Sequence, residues 1–254
     1  MMDVSLVGAL RFWQRNLLVF RKVFAFTVPE NFLEPVLYLL ALGFGLGAYL
    51  REVQGVPYVA FVATGLAASA AMFGATFECT YNAYVQFTYD RSYDAVVTTP
   101  LSAEDVALGE VLWGATRSVL YGSAFLLVVA LFGAVRSPWA LALPGVFFAS
   151  GVVFSAVALA FTAVSPSIDL FTYYFSLWVT PMFMFSGIFF PLEGLPGWVQ
   201  TAVWFTPLVH LVRATRALAF GHPSAALVDV GWLLVVALLV LPAPLLLLRR
   251  RLVQ

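Results

Sequence analysis

Apolar residues run along this chain in long blocks separated by short polar breaks, with no sustained two-residue alternation of the kind a half-buried strand shows. A helix that crosses a hydrocarbon layer of roughly 30 Å needs about 20 mostly apolar residues, and backbone polar groups in lipid must be satisfied within the segment. Six blocks meet that requirement, at residues 31–50, 56–77, 106–135, 139–164, 168–190 and 227–248. Arg51-Glu52, Asp90-Arg91, Arg136-Ser137-Pro138 and Ser165-Pro166-Ser167 separate them. Ahead of the first block, residues 6–26 mix Arg11, Arg15, Arg21 and Lys22 with Leu10, Phe12, Trp13, Leu17, Leu18 and Phe20, the composition of a helix lying in the membrane interface. The pattern predicts an all-α integral membrane fold, with an N-terminal interfacial amphipathic helix within residues 1–28 followed by six transmembrane helices.

Two connections are long enough to hold structure of their own. Residues 84–105 carry Asp90, Arg91, Asp94, Glu104 and Asp105, with a turn at Pro100 and a helix start at Ser102 backed by Asp105 three residues on. This spacing predicts a short surface helix, a turn and then the third span. Residues 191–226 hold Pro191, Gly194, Pro196, Gly197, Pro207, Gly221 and Pro223, but the stretches between them are apolar and contain Trp198 and Trp204. Short re-entrant or interfacial helices between the fifth and sixth spans fit that composition. No internal repeat is visible, so an inverted-repeat secondary transporter has no support from the pattern.

Composition sharpens the class. The chain is 62% hydrophobic and 10% charged with a mean hydropathy of +0.95, which excludes a water-soluble globule. Lys and Arg number 13 against 13 Asp and Glu, and no basic stripe interleaved with aromatics occurs, which argues against a nucleic-acid partner. On one set of alternate loops lie Arg11, Arg15, Arg21, Lys22, Arg91, Arg249, Arg250 and Arg251, and on the other Arg51, Arg136, Arg213 and Arg216. That excess places both termini in the cytoplasm. The N-terminal stretch has no cleavage pattern of a signal peptide, so it is expected to stay attached.

Candidate chemistry is sparse. The single cysteine, Cys79, can neither close an intrachain disulfide nor build a thiolate metal site, and no metal is expected. There is no phosphate loop, and the only lysine, Lys22, has no glycines around it, so no nucleotide site is expected in the chain itself. G-x-S-x-G and H-E-x-x-H are absent, and both histidines, His210 and His222, fall in the outer connection without a visible partner. No catalytic residue is assigned. Glu78, Glu110, Arg117, Asp169 and Asp229 are ionisable residues within or bordering the apolar blocks. Arg117 lies deepest and can pair with Glu110 on its own helix or with Glu78 across helices, giving an intramembrane polar network of Glu78, Glu110 and Arg117. Asp169 and Asp229 are expected at helix ends in contact with water. Phe171, Phe175, Trp178, Met182 and Phe185 recur every three or four residues, which predicts one aromatic helical face, with Pro181 kinking the same helix. Gly43, Gly45 and Gly47 offer a small-residue surface for close helix approach.

The run Glu34-Pro35-Val36-Leu37-Tyr38-Leu39-Leu40-Ala41-Leu42-Gly43-Phe44-Gly45-Leu46-Gly47, with Ala75-Thr76-Phe77-Glu78, Thr99-Pro100-Leu101, Asp105 and Leu108-Gly109-Glu110, resembles a known family. Pro181, Phe185-Ser186-Gly187-Ile188-Phe189-Phe190-Pro191, Leu195-Pro196, Pro207-Leu208 and His210 extend the likeness over nearly the whole chain. The family is the membrane subunit of type-2 ABC exporters, in the branch of nodulation-factor (lipo-oligosaccharide) exporter permeases and antibiotic-efflux permeases. The resemblance implies a single transmembrane domain over 1–254, a homodimer in the bacterial inner membrane, and two ABC-type ATP-binding subunits that hold ATP and Mg2+ while this chain binds no cofactor. It implies ATPase coupling through residues 6–26 and 89–99, with Asp90, Arg91, Tyr93 and Asp94 as the contact. It also maps a substrate pathway onto Gly43, Gly45, Gly47, Phe171, Phe175, Trp178 and Met182, and outer re-entrant helices onto residues 192–220. The cargo class it implies is amphipathic: a lipo-oligosaccharide, a glycolipid or a hydrophobic drug. From the residues alone, an ion-coupled secondary transporter or channel using Glu78, Glu110 and Arg117 stays open beside it.

Overall fold

A computed structural model describes residues 4–90, 92–93, 99–131 and 133–252, apart from the side chains of residues 25–32, 34 and 44. The chain begins with α1 (Leu6–Leu40), capped by the Ser5 hydroxyl, which accepts from the Gly8 N–H at 3.3 Å. The helix continues through a π turn (Ala41–Gly45) and a 3-10 turn (Leu46–Ala48). The expected boundary between an interfacial helix and a first span is therefore corrected: among the described residues the backbone is helical from Leu6 to Leu40 without interruption. A two-stranded ribbon follows, β1 (Glu52–Val53) and β2 (Val56–Pro57), turning at Gln54 and Gly55 with φ of 51° and 76°. Positive φ at both central residues is the backbone of the tight hairpin turn that matches strand twist.

Helix α2 (Tyr58–Phe77) is the centre of the molecule. Ala63, Ala67, Ala71 and Ala75 have no exposed surface, and Gly65 and Gly74 leave room for Ile188 and Tyr121. Alanine is the best helix former and its small side chain lets neighbours approach from every side, so an apolar helix of this composition is buried all round. It continues past the expected end at residue 77 through π turns at Glu78–Asn82 and Val85–Tyr89. Around it stand α3 (Ala103–Leu131), α4 (Leu143–Val164, entered by a 3-10 turn at Pro138–Ala142) and α5 (Leu170–Phe185). Short helices α6 (Gly197–Trp204) and α7 (Pro207–Phe220) lead to α8 (Pro223–Val240) and α9 (Pro242–Leu252). Helix α8 lies outermost: Leu227, Val228, Leu238 and Leu239 are exposed while Leu233 is buried. An apolar face of that kind suits hydrocarbon.

Among the described residues, four stretches are long and apolar enough to cross a membrane: Tyr58–Tyr89, Ala103–Leu131, Pro138–Val164 and Pro223–Leu252. Two shorter apolar helices, Pro35–Ala48 and Leu170–Phe185, stand where the first and fifth spans are expected. The all-α membrane class holds.

Hydrogen bonds sort the connections into two ends. Ser5 and the start of α3 meet through the Ser5 N–H and Asp105 Oδ1 at 2.6 Å, and Arg249 pairs with Glu104 at 3.1 Å. This terminal end also carries the predicted capping box at Ser102, where Asp105 N–H donates to Ser102 Oγ and Ser102 N–H donates to Asp105 Oδ2, both at 3.1 Å. At the distal end the Arg136 N–H donates to the Ala219 carbonyl at 2.9 Å, joining the connection after α3 to α7.

Gly109 shows how tightly α1 seats on α3, because a Cβ there would lie 2.7 Å from the Ala9 carbonyl oxygen. Gly109→Ala is expected to cost about 1–3 kcal/mol by forcing the two backbones apart. Gly145→Ala, with nothing within 4 Å, is the matched control. Heat unfolding read by labelling of the buried Cys79 thiol checks this: the Gly109 variant labels at lower temperature and the Gly145 variant does not.

Candidate functional site

Two polar clusters sit at opposite ends of α2. At the terminal end, Glu78 occupies the first position of the Glu78–Asn82 π turn and is buried. Its Oε1 accepts from Trp113 Nε1 at 2.8 Å; its Oε2 accepts from Asn82 Nδ2 at 2.9 Å and lies 3.3 Å from Arg117 Nε. The Arg117 guanidinium is clamped between Phe20, 4.4 Å from the ring centre, and Tyr121 at 5.0 Å. Of the two pairings open to Arg117 in the sequence, the structure brings it to Glu78 across helices. A pair this deep depends on both charges, since removing one partner strands the other in a medium that cannot solvate it.

Glu110, one helical register away on α3, has different partners. Its Oε2 accepts from Asn16 Nδ2 of α1 at 2.8 Å, while its Oε1 and the hydroxyl of Tyr93 beside it are buried without a hydrogen-bond partner. Arg15 completes the set, donating from Nη1 to Asn16 Oδ1 at 2.9 Å and to Gln86 Oε1 at 2.8 Å. A cavity of about 450 Å³ opens beside this cluster, lined by Asn16, Phe20, Glu78, Gln86 and Arg117 among others. Through Asn16 and Arg15, Glu110 thus connects α3 to α1 and to Gln86 in the stretch after α2.

Tyr93 is fully buried, edge-on to Phe12 at 5.6 Å and Phe87 at 6.0 Å, and burial beside Glu110 raises its phenol pKa. Its side chain fastens the connection to the bundle; Asp90, three residues earlier, is exposed. Arg91 and Asp94 lie outside the described residues. Two of the three C-terminal arginines act on the same end. Arg249 pairs with Glu104, and Arg251 Nη1 donates to the Thr162 and Ala163 carbonyls at 2.8 and 3.1 Å, satisfying the end of α4.

At the distal end His210 and Asp229 correct the sequence reading. His210, expected at the surface without a partner, is 1% exposed; Asp229, expected in water, is 2% exposed. His210 Nδ1 lies 2.7 Å from Asp229 Oδ1 and Nε2 lies 2.8 Å from the Trp204 carbonyl, while the ring stacks on Trp232 at 4.0 Å. The other carboxylate oxygen of Asp229 is 3.5 Å from Arg213 Nε. The α7–α8 turn, made by Gly221 at φ 90°, folds residue 229 back onto residue 210, a juxtaposition that 19 residues of sequence do not advertise. A cavity of about 560 Å³ adjoins this cluster.

The aromatic stripe of α5 is divided. A π turn at Phe175–Val179 precedes Pro181 and relieves the clash its ring would make with the preceding turn, which shifts the helical register. Phe171 and Met182 are consequently buried inside the subunit, Phe175 stacks on Phe77 at 4.6 Å, and Trp178 and Phe185 stand on the surface with Tyr173 and Leu177. Among the glycines, Gly43 and Gly47 lie against Val59 of α2 while Gly45 faces open space.

Compared with known proteins, residues 9–220 match the family model described as "ABC-2 type transporter". The chain is 37% identical over 246 residues to Nodulation protein J of Rhizobium leguminosarum bv. viciae, covering 95% of this chain and 94% of the relative. It is 36% identical over 212 residues to Nodulation protein J of Sinorhizobium fredii, covering 84% and 81%. It is 22% identical over 239 residues to the inner membrane transport permease YadH of Escherichia coli, covering 93% and 92%.

Proposed function

Because this chain belongs to the ABC-2 type transporter family, we propose that it is the membrane subunit of an ATP-driven exporter, moving an amphipathic molecule outward across a bacterial inner membrane. The cargo is a lipo-oligosaccharide, a glycolipid or a hydrophobic drug, and two copies of the chain work with two ATP-binding subunits, in which ATP and Mg2+ are held. Both termini and the terminal end of the bundle face the cytoplasm, and Pro35–Ala48 and Leu170–Phe185 complete a six-helix bundle after the interfacial part of α1. Re-entrant α6 and α7 line the outer face.

The observation that carries this reading is the three-way junction at Glu110. An ATPase closing against Asp90, Arg91 and Asp94 would push on a connection whose Tyr93 is packed against Phe12 of α1 and whose Gln86 is tied through Arg15 to Asn16, the partner of Glu110. The push is then delivered to α1 and α3 together, and bistable packing between two copies converts it into opening and closing of the pathway. Gly45 in the π turn after α1 and the surface part of the α5 stripe, Trp178 with Tyr173 and Leu177, supply a face of the required character for pathway or partner.

An ion-coupled transporter would need its polar groups linked across the layer. Phe61, whose carbonyl accepts from Arg216 at the distal end, and Glu78 are separated by about 25 Å of helix. Between them the hydroxyls of Thr64 and Ser69 bond back to the carbonyls of their own helix. The test is uptake of a fluorescent single-chain amphiphile into inside-out vesicles. ATP-dependent accumulation that survives a protonophore is expected; accumulation on an ion gradient without ATP would overturn the reading.

A further inference from the structure

We propose that the distal cavity is a binding subsite for the anionic headgroup, a phosphate, sulfate or carboxylate, of a single-chain amphiphile, with Arg216 and Arg213 as its anion-binding residues. The proposal rests on the exporter reading for its biological setting, since it places this headgroup site where cargo leaves the outer face.

Arg216 is the central observation. It projects from α7 into the cavity wall, and Nη2 donates to the Phe61 and Gly187 carbonyls at 3.1 and 3.0 Å. The guanidinium carbon stands 3.6 Å above the Phe61 ring centre. Its buried Nε has no hydrogen-bond partner, and among the described residues no carboxylate forms an ion pair with it. Burial lowers its pKa to about 10, which still leaves it charged at neutral pH. An enclosed cation with an unpartnered N–H, hydrogen-bonded to neutral carbonyls and reached by a carboxylate only through space, is an incomplete site, because a buried charge is ordinarily paired. Guanidinium presents its N–H groups in a planar fork that fits an oxyanion.

The surroundings complete the chemistry. Arg213, one turn earlier on the same helix, lines the cavity and is half exposed, and its ion-pair partner among the described residues, Asp229, is already engaged by His210. Gln54 and Gln200 add neutral amides, and Trp204 adds an apolar wall on which the body of an amphiphile can lie. Glu193 is the opposing feature: its carboxylate lies on the cavity rim, bonded by Gln54 Nε2 at 3.1 Å, and acts on Arg216 through space. An incoming anion would compete with it. The site therefore predicts opposite effects for two surface substitutions, which a merely structural role for Arg216 would not produce.

The test titrates the full-length chain in phosphatidylcholine nanodiscs by calorimetry, against empty nanodiscs, with octyl phosphate, octyl glucoside and inorganic phosphate as separate probes. Saturable binding of octyl phosphate at one site per chain is expected, with octyl glucoside silent and inorganic phosphate much weaker. Arg213→Gln should weaken octyl phosphate about fivefold and Glu193→Gln should tighten it about threefold, in line with partly solvated charges. Both residues are exposed enough to be changed without disturbing the core. Arg216→Gln should abolish binding; protection of the Cys79 thiol in that variant reports whether the fold survives. Affinities unchanged in both surface variants, or no saturable phase, would overturn the proposal. Equal affinity for inorganic phosphate would also overturn the amphiphile assignment, leaving a free-anion site. The titration uses no nucleotide, so it can succeed while ATP-driven transport fails, or fail while transport succeeds.

Discussion

Arg117→Ala will be among the most destabilising single changes in this chain, at about 3–5 kcal/mol, because it leaves the Glu78 carboxylate buried with no counter-charge. Trp113 and Asn82 still donate to Glu78, but neutral donors do not replace the guanidinium. Glu78→Gln should be milder, since the amide keeps an acceptor for Trp113 while Arg117 retains the faces of Phe20 and Tyr121. The double variant Arg117→Met with Glu78→Gln should recover much of the loss, as a neutral, well-filled replacement removes both desolvation penalties. Thermal unfolding followed by labelling of Cys79 measures all three, because that thiol is fully enclosed in the folded chain. A double variant as unstable as Arg117→Ala would contradict the pairing.

The second large effect concerns Tyr93. Tyr93→Ala removes a ring held by Phe12 and Phe87 and leaves a cavity worth about 3–5 kcal/mol locally. Tyr93→Phe keeps the ring and removes only a buried hydroxyl without a hydrogen-bond partner, so it should change stability by no more than about 1 kcal/mol. In the alanine variant the connection would then have to be ordered on binding the ATPase, at roughly 1–2 kcal/mol for each residue fixed. Tyr93→Ala should weaken association with the ATP-binding subunit on the order of tenfold to hundredfold, and Tyr93→Phe far less, as read by surface plasmon resonance on the reconstituted permease. Equal affinities for both variants and the parent would remove Tyr93 from the coupling path.

Much of this architecture is legible in the amino-acid pattern, and the exceptions share a cause. Blocks of about 20 apolar residues mark membrane-crossing helices through length alone, and the Ser102–Asp105 spacing marks a helix start through local hydrogen bonding. The need of Arg117 for a carboxylate is equally readable, since a cation in an apolar helix must find one. What the pattern hides depends on register or on turns. The π turns after Phe77 and within α5 insert an extra residue per turn, which carries α2 to Tyr89 and divides the Phe171–Phe185 stripe between core and surface. Polar residues near Asn31 read as a helix boundary, yet α1 passes through them. His210 meets Asp229, and Arg216 meets Phe61 and Gly187, only because the chain doubles back around α7.

Purification of the tagged chain from native membranes in mild detergent, with mass spectrometry and an ATPase assay of the eluate, tests the central claim most directly. The account predicts a phosphate-loop ATPase in equal stoichiometry, lost from the eluate when Asp90, Arg91 and Asp94 are replaced together. This chain recovered alone, even after crosslinking within the membrane, would contradict it.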